Sequence, residues 1–297
     1  NNDFKVHENG QFSYATSSLR IGTLRHGPRV ILDANLNEIG RFEVQSPLTQ
    51  TDFHDFQILP NGNYVFLSYN DVVRNGEKII DAVVQIVDPI TSTEVFRWDS
   101  KDFLTRSDAY VDAPDYAHIN ALSVDTDGNY LLSLRGTSSI VKIDATTADV
   151  IWTLGGKNSD FEIIDPLGGF IGQHAASRTA GGNILLFDNG YEDPNREEGG
   201  LPQFQTRANV TRAAEYALDE VNSTATLVWS YELPGQTAFA TGMAQHLANG
   251  NTFVGWGLGP YTLATEVNRD GKVVFEIVAR NANGRTPNHY RTFNFPQ

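Results

Sequence analysis

The sequence predicts an all-β protein folded as a β-propeller, and three observations support this prediction. A pattern of two apolar strands joined by a Gly-containing turn recurs five times along the 297 residues. Each of these hairpins is followed by a second pair of apolar segments around an Asp- or Asn-rich turn, which makes four strands per repeat. Helical periodicity is hard to find. Because all-β propellers of this length often form one unit, residues 1–297 are interpreted as a single domain.

The strands of each repeat follow in the same order. The first hairpins are FKVHENGQFSYAT, FQILPNGNYVFLSY, LSVDTDGNYLLSL, ASRTAGGNILLFD and AQHLANGNTFVGW. Asn-Gly and Asp-Gly between apolar runs are typical of hairpin turns, because the turn residues must adopt positive φ. The second strand pairs are RVILDANLNEIGRFEV, AVVQIVDPITSTEVFRW, SSIVKIDATTADVIWTL, AAEYALDEVNSTATLVWSYE and TLATEVNRDGKVVFEIV. The turn glycines of the first hairpins are Gly10, Gly62, Gly128, Gly182 and Gly250.

The number of blades depends on how the ring closes. After the fifth repeat one apolar segment remains, NHYRTFNFP, and it is interpreted as a further inner strand lying beside the N-terminal strands. The favoured prediction is therefore a six-bladed propeller whose last blade is incomplete or closed by both termini. A five-bladed ring is the alternative.

Composition restricts the classes of partner. The formal net charge is -14, which repels nucleic acid and anionic membrane surfaces, so neither is expected as a partner. The chain has no Cys, which excludes disulfides and thiol chemistry, and it has no apolar run long enough to span a bilayer. The chain opens with Asn and shows no apolar signal region, which favours a secreted or periplasmic product whose leader has been removed.

Histidine placement indicates a candidate site. His54, His118 and His174 stand eight, ten and eight residues before the turn glycine of three successive repeats. Because the innermost strand of a propeller blade begins near the central channel, this register directs the three side chains toward one axis. His246 stands four residues before its glycine and falls outside the register.

A second near-axis position lies seven residues after each turn glycine, where the next strand returns to the same face. Tyr69, Arg135 and Asn189 occupy it, and Arg135 is the cation among them. Arg135 also belongs to the repeat that contains His118 and Asn120. We expect these groups to form an active site at the mouth of the channel.

Zinc is an alternative reading of the three histidines, with water in the open position. It ranks below direct catalysis because no acidic residue shares the histidine register, although Asp55 and Asp188 are close in sequence. Neither a metal nor a cofactor is therefore expected.

Several motifs together suggest a family. HIN, LLSLR, IVKIDATTADVIWTLGG, GQHAA, LLFDNG, AAEYALDE and LANGNTFVGWG resemble the arylsulfate sulfotransferases that do not use PAPS, which are secreted β-propeller enzymes. The resemblance covers roughly residues 52–292. It implies that a sulfuryl group moves from an aryl sulfate to a phenol through a sulfated histidine.

Carried over by motif, the resemblance assigns roles to particular residues. His174 is the implied nucleophile, while His118, Asn120, Arg135 and His54 are implied to hold the sulfuryl oxygens and assist the leaving group. A planar, permanently charged guanidinium suits such an anion. The residues expected to contact the substrate are Tyr69, Tyr116, Asn189 and Tyr191.

Two other functions remain open from the residues. A polysaccharide lyase acting on an acidic glycan by β-elimination could use His or Tyr as its base and Arg135 to neutralise a uronate carboxylate. A non-catalytic propeller could bind a glycan or a protein on the same face. The fold alone cannot separate these functions from sulfuryl transfer.

Overall fold

The computed structural model describes residues 2–16, 18–20, 23–25, 27–192, 205–206, 210–259, 261–284, 286–287 and 289–294. Five sheets form the blades of a β-propeller, of which four have four strands and the fourth blade has five. Two further pairs of strands, within the chain segments of blades 1 and 4, form separate two-stranded sheets.

The first two blades and one separate hairpin contain ten strands. Blade 1 and its hairpin contain β1 (Asn2–Val6), β2 (Phe12–Ala15), β3 (Ser18–Arg20), β4 (Thr23–Arg25), β5 (Arg29–Leu32) and β6 (Glu38–Phe42). The hairpin consists of β3 and β4. Blade 2 contains β7 (Phe56–Ile58), β8 (Tyr64–Arg74), β9 (Glu77–Asp88) and β10 (Thr93–Asp99). Two short 3-10 helices follow blade 2, at Ser100–Asp102 and Arg106–Asp108.

The remaining blades repeat the pattern. Blade 3 contains β11 (Ile119–Val124), β12 (Tyr130–Leu134), β13 (Ser139–Ile143) and β14 (Val150–Gly155). Blade 4 and its hairpin contain β15 (Glu162–Ile164), β16 (His174–Arg178), β17 (Ile184–Asp188), β18 (Tyr191–Glu192), β19 (Gln205–Thr206), β20 (Arg212–Asp219) and β21 (Thr224–Tyr231). Blade 5 contains β22 (Met243–His246), β23 (Thr252–Gly255), β24 (Ala264–Val267) and β25 (Val273–Ile277).

The predicted hairpins are confirmed in all five blades, because the first two strands of each blade pair on either side of the predicted turn. The turn glycines have left-handed backbones, with φ of +79° at Gly10 and +87° at Gly62. Blade 4 carries one addition, since β15 pairs in parallel with β21 as a fifth, outer strand. In the described part of the chain no helix is long and apolar enough to cross a membrane.

The favoured six-bladed prediction is wrong, and the five-bladed alternative is correct. Blade 1 already holds four strands of its own, so the N-terminal strands are not available to complete a sixth sheet. Residues 289–294, here called the C-terminal segment, were expected to be an inner strand, but they are assigned to no strand. The segment instead lies along blade 5, where Gly242 donates its N–H to the carbonyl of Tyr290.

Hydrophobic clusters fill the spaces between successive blades. Alternate residues of one strand face opposite neighbours, so Leu132 of β12 packs toward blade 2 and Leu131 packs toward blade 4. On blade 5, a further cluster includes Phe293 of the C-terminal segment. The segment therefore packs on blade 5 through an apolar side chain while its preceding residues extend to the centre of the propeller.

Candidate active site

The three histidines stand at the start of inner strands, as their sequence register predicts. His54 precedes β7 by two residues, His118 precedes β11 by one, and His174 is the first residue of β16. All three are buried, with exposed fractions of 5%, 6% and 1%. The rings of His54 and His118 lie 5.1 Å apart between centroids.

The hydrogen bonds of His174 define its tautomer. Nδ1 lies 2.7 Å from Oδ1 of Asn189, and the Asn189 amide nitrogen donates to the carbonyls of Ala238 and Thr241. Since that amide nitrogen is used as a donor, Oδ1 is the acceptor and Nδ1 of His174 carries the proton. Nε2 then carries a lone pair, which accepts a hydrogen bond from the backbone N–H of Thr241 at 3.1 Å.

The surroundings of His174 keep the ring neutral. Burial lowers the pKa of His174 well below its ordinary value, and the positive charge of Arg135 lowers it further. The neighbouring His118 and His54 act in the same direction, while the hydrogen bond to Asn189 acts against it. A neutral imidazole with an unprotonated ring nitrogen is the form in which histidine acts as a nucleophile.

A buried carboxylate, Asp52, and a half-buried one, Asp115, contact the other histidines. Nδ1 of His54 lies 2.7 Å from Oδ1 of Asp52, and Nδ1 of His118 lies 2.6 Å from Oδ2 of Asp115. His118 also has a left-handed backbone with φ of +46°, a conformation that is uncommon for a residue other than glycine. The carboxylates therefore hold both rings in defined orientations.

Aromatic rings surround the histidines. Tyr69 lies 5.7 Å from His54 and 5.7 Å from His118 between ring centroids. Tyr290 of the C-terminal segment lies 5.4 Å from His54 and 6.3 Å from His174, so it stands between the two. Burial raises the pKa of the Tyr290 phenol, which stays protonated. The centre of the site is thus lined by imidazole and phenol rings.

Arg135 and Asn120 are close to this centre but make specific bonds elsewhere. Nη2 of Arg135 donates to the carbonyl of Phe239 at 3.3 Å, in the same loop that contains Thr241. The side chain of Asn120 is fully buried and donates to the carbonyl of Gln173 at 2.7 Å. Asn120 thereby links blade 3 to the residue preceding His174.

The other predicted substrate contacts divide into three cases. Asn189 lies in the site, but as the partner of His174. Tyr116 packs in the core between blades 2 and 3, where its hydroxyl lies 3.2 Å from Oγ of Ser100. The backbone of Tyr191 belongs to β18, and its side chain lies outside the described residues.

No acidic residue shares the histidine register, but His54 and His118 each contact a carboxylate that lies outside it. Asp55 and Asp188, which are close in sequence, bind Lys5 and Arg212 instead. The carboxylate partners are Asp52, two residues before His54, and Asp115, three residues before His118. Neither position belongs to the register shared by the histidines. Across the described ranges, no group of three or more His, Cys, Asp or Glu side chains has a geometry suited to holding a metal ion.

Two contributors were not predicted from sequence. The backbone N–H of Thr241 belongs to a loop before β22, and its role depends on a left-handed φ of +67° that no motif signals. Tyr290 was read as part of a strand, and its preceding neighbour His289 contacts the carbonyl of Leu263 rather than the site. The sequence feature that could have indicated this contribution is the pair His289-Tyr290 in the last apolar segment.

Fold and site together define a β-propeller protein with a buried histidine cluster at its centre. A family model described as Arylsulfotransferase (ASST) matches residues 1–291. The chain belongs to this arylsulfotransferase family, and the resemblance drawn from the motifs is confirmed.

Comparison with other proteins adds the fold alone. No curated protein sequence matches this chain. A protein of unknown function from Bacteroides caccae superimposes with a TM-score of 0.55 at 13% identity, covering 94% of this chain and 81% of that one. A catalytically inactive virginiamycin B lyase from Staphylococcus aureus gives a TM-score of 0.49 at 9% identity, with 95% and 71% covered. A streptogramin B lyase gives 0.48 at 10% identity, with 96% and 70% covered.

Proposed function

We propose that this protein transfers a sulfuryl group from an aryl sulfate ester to a phenolic acceptor through a covalent intermediate on Nε2 of His174. Membership of the arylsulfotransferase family supports the reaction class. The nucleophile is assigned from the hydrogen bond that Nδ1 of His174 donates to Asn189. This bond leaves Nε2 unprotonated in a buried, neutral ring.

The reaction has two balanced steps. In the first step, Nε2 of His174 attacks the sulfur of the aryl sulfate, the N–S bond forms, and the S–O bond to the aryl group breaks. The departing phenolate takes a proton from a neighbouring acid. In the second step, an acceptor phenol attacks the same sulfur while it loses its proton to that group, and the N–S bond breaks.

Three features favour this chemistry over simple binding. The N–H of Thr241 now donates to Nε2 of His174, and it can turn to a sulfuryl oxygen once the N–S bond has formed. Arg135 contributes positive charge near His174, which suits the equatorial oxygens of the transferred group. The ring of Tyr69 borders the two carboxylate-bound histidines, where an aryl group can stack.

The test is a mass measurement on the intact protein after mixing with 4-nitrophenyl sulfate and no acceptor. We expect a gain of one sulfuryl group per chain together with release of one equivalent of nitrophenol. His174→Ala should abolish both signals. His246→Ala is the matched control, because His246 also follows a Gln but contacts Thr252 outside the site, and it should retain both.

A wild-type protein that neither gains mass nor releases nitrophenol would contradict the proposal, as would an adduct that survives in His174→Ala. The lyase alternative has a different signature. It requires an acidic polysaccharide to yield an unsaturated uronate that absorbs in the ultraviolet, and the same protein sample can be assayed for it.

A further inference from the structure

We propose that Asp52 and Asp115 are positioning residues that make His54 and His118 the proton carriers of the reaction, while Asn189 reserves His174 as the uncharged nucleophile. The proposal rests on the proposed function and deepens it. Its basis is a difference in chemistry among otherwise similar contacts. Each histidine uses Nδ1 for a hydrogen bond of 2.6 or 2.7 Å, but the acceptor is a carboxylate for two rings and an amide for the third.

The nature of the acceptor determines which charge state of the ring is favoured. A carboxylate stabilises the imidazolium by a charge-assisted hydrogen bond, whereas a neutral amide oxygen gives only a dipole. Asp52 and Asp115 are themselves shielded from water, with side-chain exposed fractions of 0% and 14%, so their fields are weakly screened. His54 and His118 are thus built to accept and release a proton.

Other groups of the site also favour an uncharged His174. His174 faces the cation of Arg135 and the two other imidazoles, all of which oppose its protonation. The rings of His54 and His118 are 5.1 Å apart between centroids, so either ring can serve the same leaving group. The phenols of Tyr69 and Tyr290 also face these rings.

One proton is sufficient for both steps. An imidazolium of the pair His54 and His118 donates its proton to the departing phenolate oxygen, and the ring becomes neutral. When the acceptor phenol attacks, the same ring takes the phenolic proton and returns to its starting state. Bond formation at His174 involves no proton, which is why an amide partner is adequate there.

Isosteric substitutions separate the charge from the hydrogen bond. Asp52→Asn and Asp115→Asn retain an oxygen that can accept from Nδ1 but remove the negative charge. We expect donors with weakly acidic leaving phenols, such as phenyl sulfate, to react about 10²-fold more slowly in at least one of these variants. Cleavage of 4-nitrophenyl sulfate should be much less affected, because nitrophenolate leaves without protonation.

The reciprocal variant is Asn189→Asp, which places a carboxylate on His174. The acid limb of the pH profile for nitrophenol release should move to higher pH, since the added charge stabilises the protonated, non-nucleophilic ring. Asp81→Asn is the matched control, because Asp81 is equally buried but its partners are Ser100 and Lys101. It should change neither the leaving-group dependence nor the pH profile.

Histidine NMR supplies a readout that does not need turnover. Titration of the ring signals should show that Asn189→Asp lets His174 protonate at higher pH than in the wild type. Unchanged titrations, or equal slowing for both donors, would overturn the proposal. If the variant titrates as predicted but the wild-type protein cleaves no aryl sulfate, only the proposed function is contradicted.

Discussion

Arg291 forms a buried ion pair with Asp55, with Nη1 3.5 Å from Oδ1 and side-chain exposed fractions of 3% and 4%. The same guanidinium lies 3.9 Å from Oδ1 of Asp3 and donates to the carbonyl of Asn120. One side chain of the C-terminal segment therefore contacts blades 1, 2 and 3. Because Tyr290 is the adjacent residue, this anchor also determines where the phenol ring stands among the histidines.

Replacing Arg291 should destabilise the protein strongly. Arg291→Met leaves Asp3 and Asp55 without one of their buried cations, and breaking such a pair costs about 3 kcal/mol of unfolding free energy. Arg41→Met is the matched control, since Arg41 pairs with Glu38 on the surface, and it should leave stability almost unchanged. Urea denaturation measures both, and equal losses in the two variants would contradict the anchoring role.

Tyr290 should stabilise the folded protein through its ring more than through its hydroxyl. The ring packs edge-on against Phe53 at 5.8 Å and His54 at 5.4 Å, whereas the hydroxyl donates to the carbonyl of Asn120 at 3.5 Å. Tyr290→Ala should therefore lower the unfolding free energy by about 3 kcal/mol, and Tyr290→Phe by about 1 kcal/mol or less. Thermal unfolding gives the comparison, and a similar loss in both would show that the hydroxyl dominates.

Stability should fall as the pH decreases through the range in which His7 titrates. Burial lowers the pKa of His7 from 6.5 to about 4, and the charges of Lys5 and Arg29 add to the effect. Between these two values the unfolded chain binds a proton that the folded chain does not, so protonation favours unfolding. His7→Gln removes this contribution. Its stability relative to wild type should increase steadily as the pH falls through the window, and parallel curves would contradict this.

The loop that bears Thr241 should be sensitive to a single methyl group. Gly242 has φ of +98°, and a Cβ atom there would overlap the ring of Phe187. Gly242→Ala should cost about 2 kcal/mol and displace the N–H that faces His174, so nitrophenol release should also slow. Gly62→Ala is the control. Its φ is +87° but nothing lies within 4 Å of the added Cβ, so we expect a cost of about 1 kcal/mol and normal nitrophenol release.

The blades were predictable because their determinants are local. Alternating apolar residues and a glycine that can adopt positive φ specify each hairpin within about a dozen residues, and Gly62 and Gly128 have the expected backbone. The common register also located His54, His118 and His174 correctly at the starts of inner strands. Both inferences need only the repeat itself, without any contact between distant parts of the chain.

The errors arise where a contact between distant segments decides the outcome. An apolar run such as NHYRTFNFP suits a strand equally well, but Phe293 and Arg291 find partners on blade 5 and in the centre, so no strand pairing is needed. Asp52 and Asp115 lie just before their inner strands in irregular backbone, where the period of two that orders strand side chains does not apply. The N–H of Thr241 carries no side-chain signal at all.

The contact between Arg291 and Asp3 has a consequence for the folding of the protein. These two residues are separated by almost the whole described chain, so a very long loop must close before their contact can form. A chain in which this contact is broken would keep the three histidines on blades 2, 3 and 4 but would lose the anchor that holds the Tyr290 ring between His54 and His174. The contact that joins the N-terminal strand to the C-terminal segment is thereby also the contact that completes the candidate site.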